Sequence, residues 1–129
     1  MALRLTLRPH ERVIIGGAVL RNGESRSELL VENEVPVLRE QDILSPSSVR
    51  TPCQRIYLAL QLMYVDRERY AEHQASYEEL AADVQLAAPS LGPVLQAIEE
   101  QVGAGRVYQA LKSARGLLQR EQELVRDVQ

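Results

Sequence analysis

The 129-residue chain has no phenylalanine and no tryptophan, one cysteine, one lysine and two histidines. Each scarcity excludes something. A single cysteine, Cys53, cannot form an internal disulfide, which argues against a secreted, stapled scaffold and fits a reducing compartment. No apolar run approaches the roughly 18 residues of a membrane span. Met1 to Arg8 alternates polar and apolar residues without a signal-peptide core. The expectation is a cytoplasmic protein with no membrane partner. His10, Cys53 and His73 are too scattered for the grouped ligands that zinc needs, so no metal is expected and no other cofactor is indicated. Gly16-Gly17 lacks the Gly-Lys-Ser/Thr of a phosphate loop. Glu78-Glu79 and Glu99-Glu100 read as solvated pairs on helix surfaces. Cys53 follows a helix-starting Thr51-Pro52, where the dipole could activate a thiol, but it reads better as a buried and inert one. Nothing here indicates an enzyme.

What is present describes an ordinary folded domain: 45% hydrophobic and 26% charged residues, enough to bury a core without disulfides. Fourteen of the 15 basic residues are arginine, which makes planar bidentate contacts with phosphate and guanine that lysine cannot copy. The net charge of −3 argues mildly against a nucleic-acid partner. The charge is uneven, however. In residues 1–50 seven arginines and seven acids cancel, whereas residues 51–129 carry eight basic and eleven acidic side chains and all five tyrosines. Ser45-Pro46-Ser47-Ser48 and Thr51-Pro52 mark the boundary with turn formers and helix starters.

Residues 1–50 read as strands. Leu3, Leu5 and Leu7 alternate with Arg4, Thr6 and Arg8, a period of two. Arg12 to Leu20 is rich in Val and Ile, with Gly16-Gly17 inside it suggesting a bulge or a close backbone approach. Asn22-Gly23 is the strongest hairpin signal, since a type I′ turn needs two positive φ angles. Ser27 to Glu32 then runs back, and Val35 to Leu44 follows, with Pro36 at its start or on an edge. The expected fold is α+β: an antiparallel meander of four or five strands, then four amphipathic helices. Thr51 caps the first, with Pro52 at its first position and Ile56, Ala59, Leu60 and Met63 at helical spacing through Val65. Tyr70, Tyr77, Leu80, Ala81, Val84 and Ala88 form the second, ended by Pro89. Ser90 is the expected cap of the third, which Gly103 stops. Val107, Tyr108, Leu111, Ala114, Leu117, Leu118 and Leu124 stripe the fourth, whose polar last turns, Gln119 to Glu123, are expected to fray.

Binding is better supported than catalysis. Arg4, Arg8 and Arg12 recur along the outer face of the first strand and the turn after it. With Arg26 and Arg39 they could assemble a phosphate-contacting or base-reading patch. The competing reading is a set of cross-strand ion pairs with Glu11, Glu24, Glu28 and Glu40. The sheet has no aromatic residue, which excludes base stacking of the kind used by RRM and OB modules. The tyrosines at 57, 64, 70 and 77 read as helix core with hydroxyls at the rim.

The run Leu7-Arg8-Pro9-His10-Glu11-Arg12-Val13-Ile14-Ile15-Gly16-Gly17-Ala18-Val19 resembles the opening of the FlbT family of flagellar biosynthesis regulators, which usually carry Gly where His10 stands. Asn22-Gly23, Val37 to Leu44, Thr51-Pro52, Arg55 to Tyr64 and Tyr108 to Arg115 continue the match in order. The resemblance implies a post-transcriptional regulator of flagellum biogenesis. Such a protein associates with the 5′ untranslated region of flagellin mRNA, represses its translation and promotes its degradation. It also implies a link to a second small regulator, FlaF, and leaves a homo-oligomer open. A fainter similarity relates the early Pro9 to Gly16 and late Val35 to Gln41 segments to the carbon storage regulator, an RNA-binding translational repressor. Its RNA-contacting arginines match Arg39, and more loosely Arg4 or Arg8.

The expected function is therefore mRNA binding, with Arg39, Arg8 and Arg4 as RNA contacts and Arg12 and Arg26 as electrostatic support. The alternative is an adaptor in flagellar assembly that touches a protein and no RNA.

Overall fold

A computed structural model describes residues 2–128; Met1 and Gln129, the outer ends of the two segments expected from the sequence, lie outside the described residues. The fold is α+β, with five short strands followed by four helices. The chain divides into two compact units, Met1–Ile43 and Leu44–Gln129. That division places Arg50 with the helices and leaves the β unit six arginines against seven acids.

The β unit is two sheets and not one meander. β1 (Leu3–Leu7) pairs antiparallel with β4 (Ser27–Val31), Leu5 lying opposite Leu29. β2 (Arg12–Ile15) is the centre of a three-stranded sheet between β3 (Ala18–Arg21) and β5 (Val37–Arg39). The hairpin joining β2 to β3 turns at Gly16-Gly17, with φ of +58° and +89° and Ile15 opposite Ala18. Two consecutive positive φ angles are what a type I′ turn requires and what glycine supplies without steric cost. The bulge expected at this pair is therefore a turn, and the single strand expected over Arg12 to Leu20 is two.

Asn22-Gly23 does not make the hairpin. Asn22 Nδ2 instead donates to the carbonyls of Leu7 (3.3 Å), Arg8 (2.8 Å) and Ser25 (2.9 Å), tying the chain leaving β3 to the end of β1. This diverts β4 away from β3 and onto β1. Leu5, Leu7 and Val13 form the core, with Ile15, Val31 and Val37 packed against it. Each side chain so buried contributes about 1.5–3 kcal/mol. β5 starts directly after Pro36, the placement proline's missing donor favours. It ends after three residues in a short 3₁₀ turn at Glu40–Asp42, earlier than the strand expected to reach Leu44.

In the helical unit, α1 (Pro52–Val65) begins as its sequence dictates. The Thr51 hydroxyl oxygen accepts from the Gln54 amide, and the Gln54 side chain accepts from the Thr51 amide, each at 3.1 Å, a complete capping box. Its apolar stripe places Ile56, Leu60 and Met63 out of solvent contact. Buried Gln61 clamps the backbone of Leu44, accepting from its amide at 2.8 Å and donating to its carbonyl at 3.1 Å.

α2 (Tyr70–Ala87) packs on α1, and α3 (Gly92–Gly103) packs on α4 (Val107–Val128), which also packs on α1. Ser90 does not cap α3. It sits inside a 3₁₀ turn, Pro89–Leu91, and Leu91 occupies the cap position without a side-chain bond. The last turns of α4, expected to fray, remain helical because Glu121 reaches α1. Its carboxylate accepts from the Thr51 hydroxyl at 2.5 Å and from the Cys53 amide at 3.1 Å. An acid from a distant helix thus serves the N-terminus of α1, whose own first turn has none. Among the described residues, no helix is long and apolar enough to cross a membrane.

Candidate nucleic-acid interface

The arginines of the β unit are placed by one buried carboxylate. Pro9 and His10 form a turn closed by the Glu11 amide donating to the Arg8 carbonyl at 3.1 Å, and His10 takes φ of +63° to make it. The turn folds Glu11 inward until only 5% of it is exposed. One carboxylate oxygen accepts from the Arg8 amide at 2.8 Å, with the Arg8 guanidinium at 3.6 Å. The other accepts from Arg39 Nη2 at 3.2 Å. The Arg8 amide, and after it the Arg39 guanidinium, hold the Glu11 carboxyl below the usual carboxylate range against the opposing effect of burial.

Arg39 Nη2 also donates to the Thr6 carbonyl at 2.7 Å. Arg8, Glu11 and Arg39 therefore form one cluster between the end of β1 and the end of β5. Arg4 lies on β1, 73% exposed, with its Nε 3.1 Å from Glu28 on β4. Arg8 is 75% exposed.

Arg12 does not join this cluster. Val13 lies opposite Arg39, so these two share a face and Arg12, one residue along, points to the other. There its Nε sits 3.6 Å from Glu40 and its backbone amide donates to the same carboxylate at 3.3 Å. Arg21 lies opposite Arg12 and donates to the His10 carbonyl at 3.1 Å. Arg26 is exposed in the loop between β3 and β4 and has no carboxylate partner among the described residues. The five arginines singled out from the sequence thus fall into a cluster around Glu11, a neighbouring pair on β1 and β4, and two outlying positions.

Sequence reasoning named Glu11 only as one of several cross-strand partners. Its burial depends on a turn whose positive φ falls at a histidine. The one available signal was the resemblance itself, in which glycine usually stands at that position.

His73 Nε2 lies 2.9 Å from Asp66. Cys53 is buried, and burial, followed by the Glu121 carboxylate, pushes its thiol up to about 12. Tyr57 and Tyr77 are core residues, and the Tyr64 and Tyr108 rings meet at 5.5 Å between centres, tilted by 38°, with Lys112 Nζ 5.2 Å from the Tyr108 ring centre. No group of three potential metal ligands occurs among the described residues.

The family described as flagellar protein FlbT matches residues 3–125. The chain belongs to the FlbT family. A FlbT protein of Bradyrhizobium diazoefficiens, named a probable flagellum biosynthesis repressor, is 43% identical over 125 residues, covering 96% of this chain and 85% of its own. A second, from Rhodopseudomonas palustris strain TIE-1, bears the same description and is 37% identical over 97% of this chain and 98% of its own. A third, from Caulobacter vibrioides, named a flagellum biosynthesis repressor, is 37% identical over 95% of this chain and 89% of its own. FlbT is thus a regulatory family, and its matched span contains both the β unit's arginine cluster and the helices. No solved structure matches the chain.

Proposed function

We propose that this protein regulates flagellum biosynthesis by binding the 5′ untranslated region of flagellin mRNA through its β unit, repressing translation and promoting decay of the message. The observation that carries the reading is the arginine cluster around Glu11 in a chain whose relatives are named flagellum biosynthesis repressors. Its parts divide the labour. Arg4 and Arg8 are largely exposed: the Arg4–Glu28 pair is of the surface kind, worth about 0–1 kcal/mol, and the Arg8 guanidinium stands 3.6 Å from Glu11, whose shorter bonds go to the Arg8 amide and to Arg39, so both side chains can turn to a phosphate. They are the primary contacts. Arg39 spends one nitrogen on Glu11 and Thr6, so its fork reaches RNA already oriented. Arg12 and Arg26 add charge at a distance.

The test is a fluorescence titration of flagellin leader RNA at several salt concentrations. Arg4→Gln and Arg8→Gln should each weaken binding and flatten the salt slope by about 0.7 per lost phosphate contact on a single strand. Binding that is unchanged in the double variant, or insensitive to salt, would remove the β unit from RNA recognition. FlaF or another flagellar protein as partner, and a homo-oligomer, fit the same reading.

A further inference from the structure

α2 and α3 follow each other in the chain but diverge, because each has its own neighbour. α2 lies on α1, α3 lies on α4, and Ala88 with the Pro89–Leu91 turn joins them. A cleft of about 830 Å³ opens between them. α2 lines it from Gln74 to Gln85 at i, i+3, i+4 spacing, and α3 lines it in the same way from Gly92 to Gly103. Eleven residues of helix rise about 16 Å, the length of three turns of a helix laid alongside.

The floor is apolar and low, with Tyr77 and Ala81 from α2 and Leu95 and Val102 from α3, while exposed Ala82 lines the cleft nearer solvent. Although α2 is 18 residues long, only Tyr77 and Val84 of it are buried. The alanines let a backbone approach where larger side chains would hold it off.

The rims are acidic. Glu78 on α2 and Glu99 on α3 both line the cleft, and α2 and α3 together carry six acids with no Arg or Lys. Tyr77 adds a second, independent pointer. It is 3% exposed, yet its hydroxyl makes no hydrogen bond among the described residues. No fully buried side-chain polar atom is left unpaired among them, so this hydroxyl opens on the cleft. Burial, and then the carboxylates of Glu99 and Glu78, push it up to about 12, so it stays a neutral donor there.

We propose that the α2–α3 cleft is a docking groove for a basic amphipathic helix of a protein partner. The partner's apolar face sits on Tyr77, Ala81, Leu95 and Val102, and its Lys or Arg side chains meet Glu78 and Glu99. Helix-in-groove recognition supplies affinity from the apolar anchors, while the opposed charges set register and exclude acidic competitors. The groove lies wholly within the helical unit and does not depend on RNA binding by the β unit.

The experiment titrates the full chain with three synthetic 18-residue peptides. The first is a Leu/Lys helix with leucine at i, i+3, i+4 and i+7, the second the same composition in scrambled order, and the third the first with Glu replacing Lys. The first should bind at least tenfold more tightly than either of the others. Glu78→Lys/Glu99→Lys and, separately, Ala82→Trp, which fills the cleft from an exposed position, should each weaken it tenfold or more with unchanged far-UV circular dichroism. Equal binding of the scrambled peptide, no binding of the first, or affinity untouched by either folded variant would overturn the proposal. So would displacement of the peptide by flagellin leader RNA, or a dimer that the charge reversal dissociates, since the occupant would then be RNA or a second copy. Should a variant misfold, the ranking of the three peptides on the unaltered chain decides.

Discussion

Arg39 on β5 bridges the buried Glu11 carboxylate at 3.2 Å and the Thr6 carbonyl on β1 at 2.7 Å, so one guanidinium nitrogen joins the two small sheets. Two strands alone are marginal in water, and a third with an apolar face is about the least that stands by itself. A tie between the sheets therefore bears on the stability of the whole β unit, and a residue expected to read RNA also holds the fold that presents it.

That dual position makes Arg39→Ala a poor test of RNA contact by itself. Removing the guanidinium leaves Glu11 buried with one charged partner fewer, and a half-lost buried pair costs more than the pair contributes. With Arg39 37% exposed, solvent screening limits the loss to about 1–3 kcal/mol. Urea unfolding should show it, with Arg39→Lys intermediate. Arg4→Gln, on an exposed pair, should shift the midpoint by no more than about 0.5 kcal/mol.

Glu11 predicts an acid sensitivity. Its folded carboxyl titrates below the ordinary glutamate value of about 4.3, so the unfolded chain binds its proton first as pH falls. The stability contribution is complete above that value and is lost as pH drops through the lower, folded one. Urea midpoints measured from pH 6 to pH 3 should fall for the native chain. Glu11→Gln should start lower at pH 6 and fall less steeply. Parallel curves would show that other carboxylates set the slope.

His10 holds a φ of +63°, a region costly for any residue with a Cβ and free for glycine. The side chain is exposed and only its backbone is engaged, through the amide to Gly23 at 2.9 Å and the carbonyl to Arg21. His10→Gly should therefore raise stability by about 0.5–1 kcal/mol by thermal or urea unfolding, despite the added freedom of the unfolded chain. His10→Val should lower it by about 1–2 kcal/mol.

Local rules explain which parts of this structure are legible in the sequence. The start of α1 depends on Thr51, Pro52 and Gln54, three residues within four consecutive positions that form a capping box among themselves, and it lies where they put it. The β unit contains two dipeptides able to take positive φ, and nothing local chooses between them. Gly16-Gly17 takes the turn, while the Asn22 side chain is spent on the carbonyls of Leu7, Arg8 and Ser25, a long-range choice that splits the expected meander. The candidate arginines stand out as residues, but their grouping does not. Alternation puts Arg12 on the face opposite Arg39, and the carboxylate that gathers Arg8 and Arg39 is buried by a turn with an unlikely residue at its centre.

Glu121 carries the last prediction, because its two oxygens serve two groups at the start of α1 at once. One accepts from the Thr51 hydroxyl, which itself accepts from the Gln54 amide, and the other accepts from the amide of Cys53. Glu121→Ala deprives the helix start of a charge-assisted partner for an amide that has no intrahelical one, at a cost of about 1–2 kcal/mol. It also removes a carboxylate that helps hold the Cys53 thiol up near 12, leaving burial as the remaining cause. The variant should unfold at lower urea, and its thiol should react with an alkylating reagent measurably faster at pH 8 than the buried thiol of the native chain. Glu121→Gln keeps acceptor oxygen but not charge and should fall between. A loss of stability with no change in thiol reactivity would mean that burial alone silences Cys53.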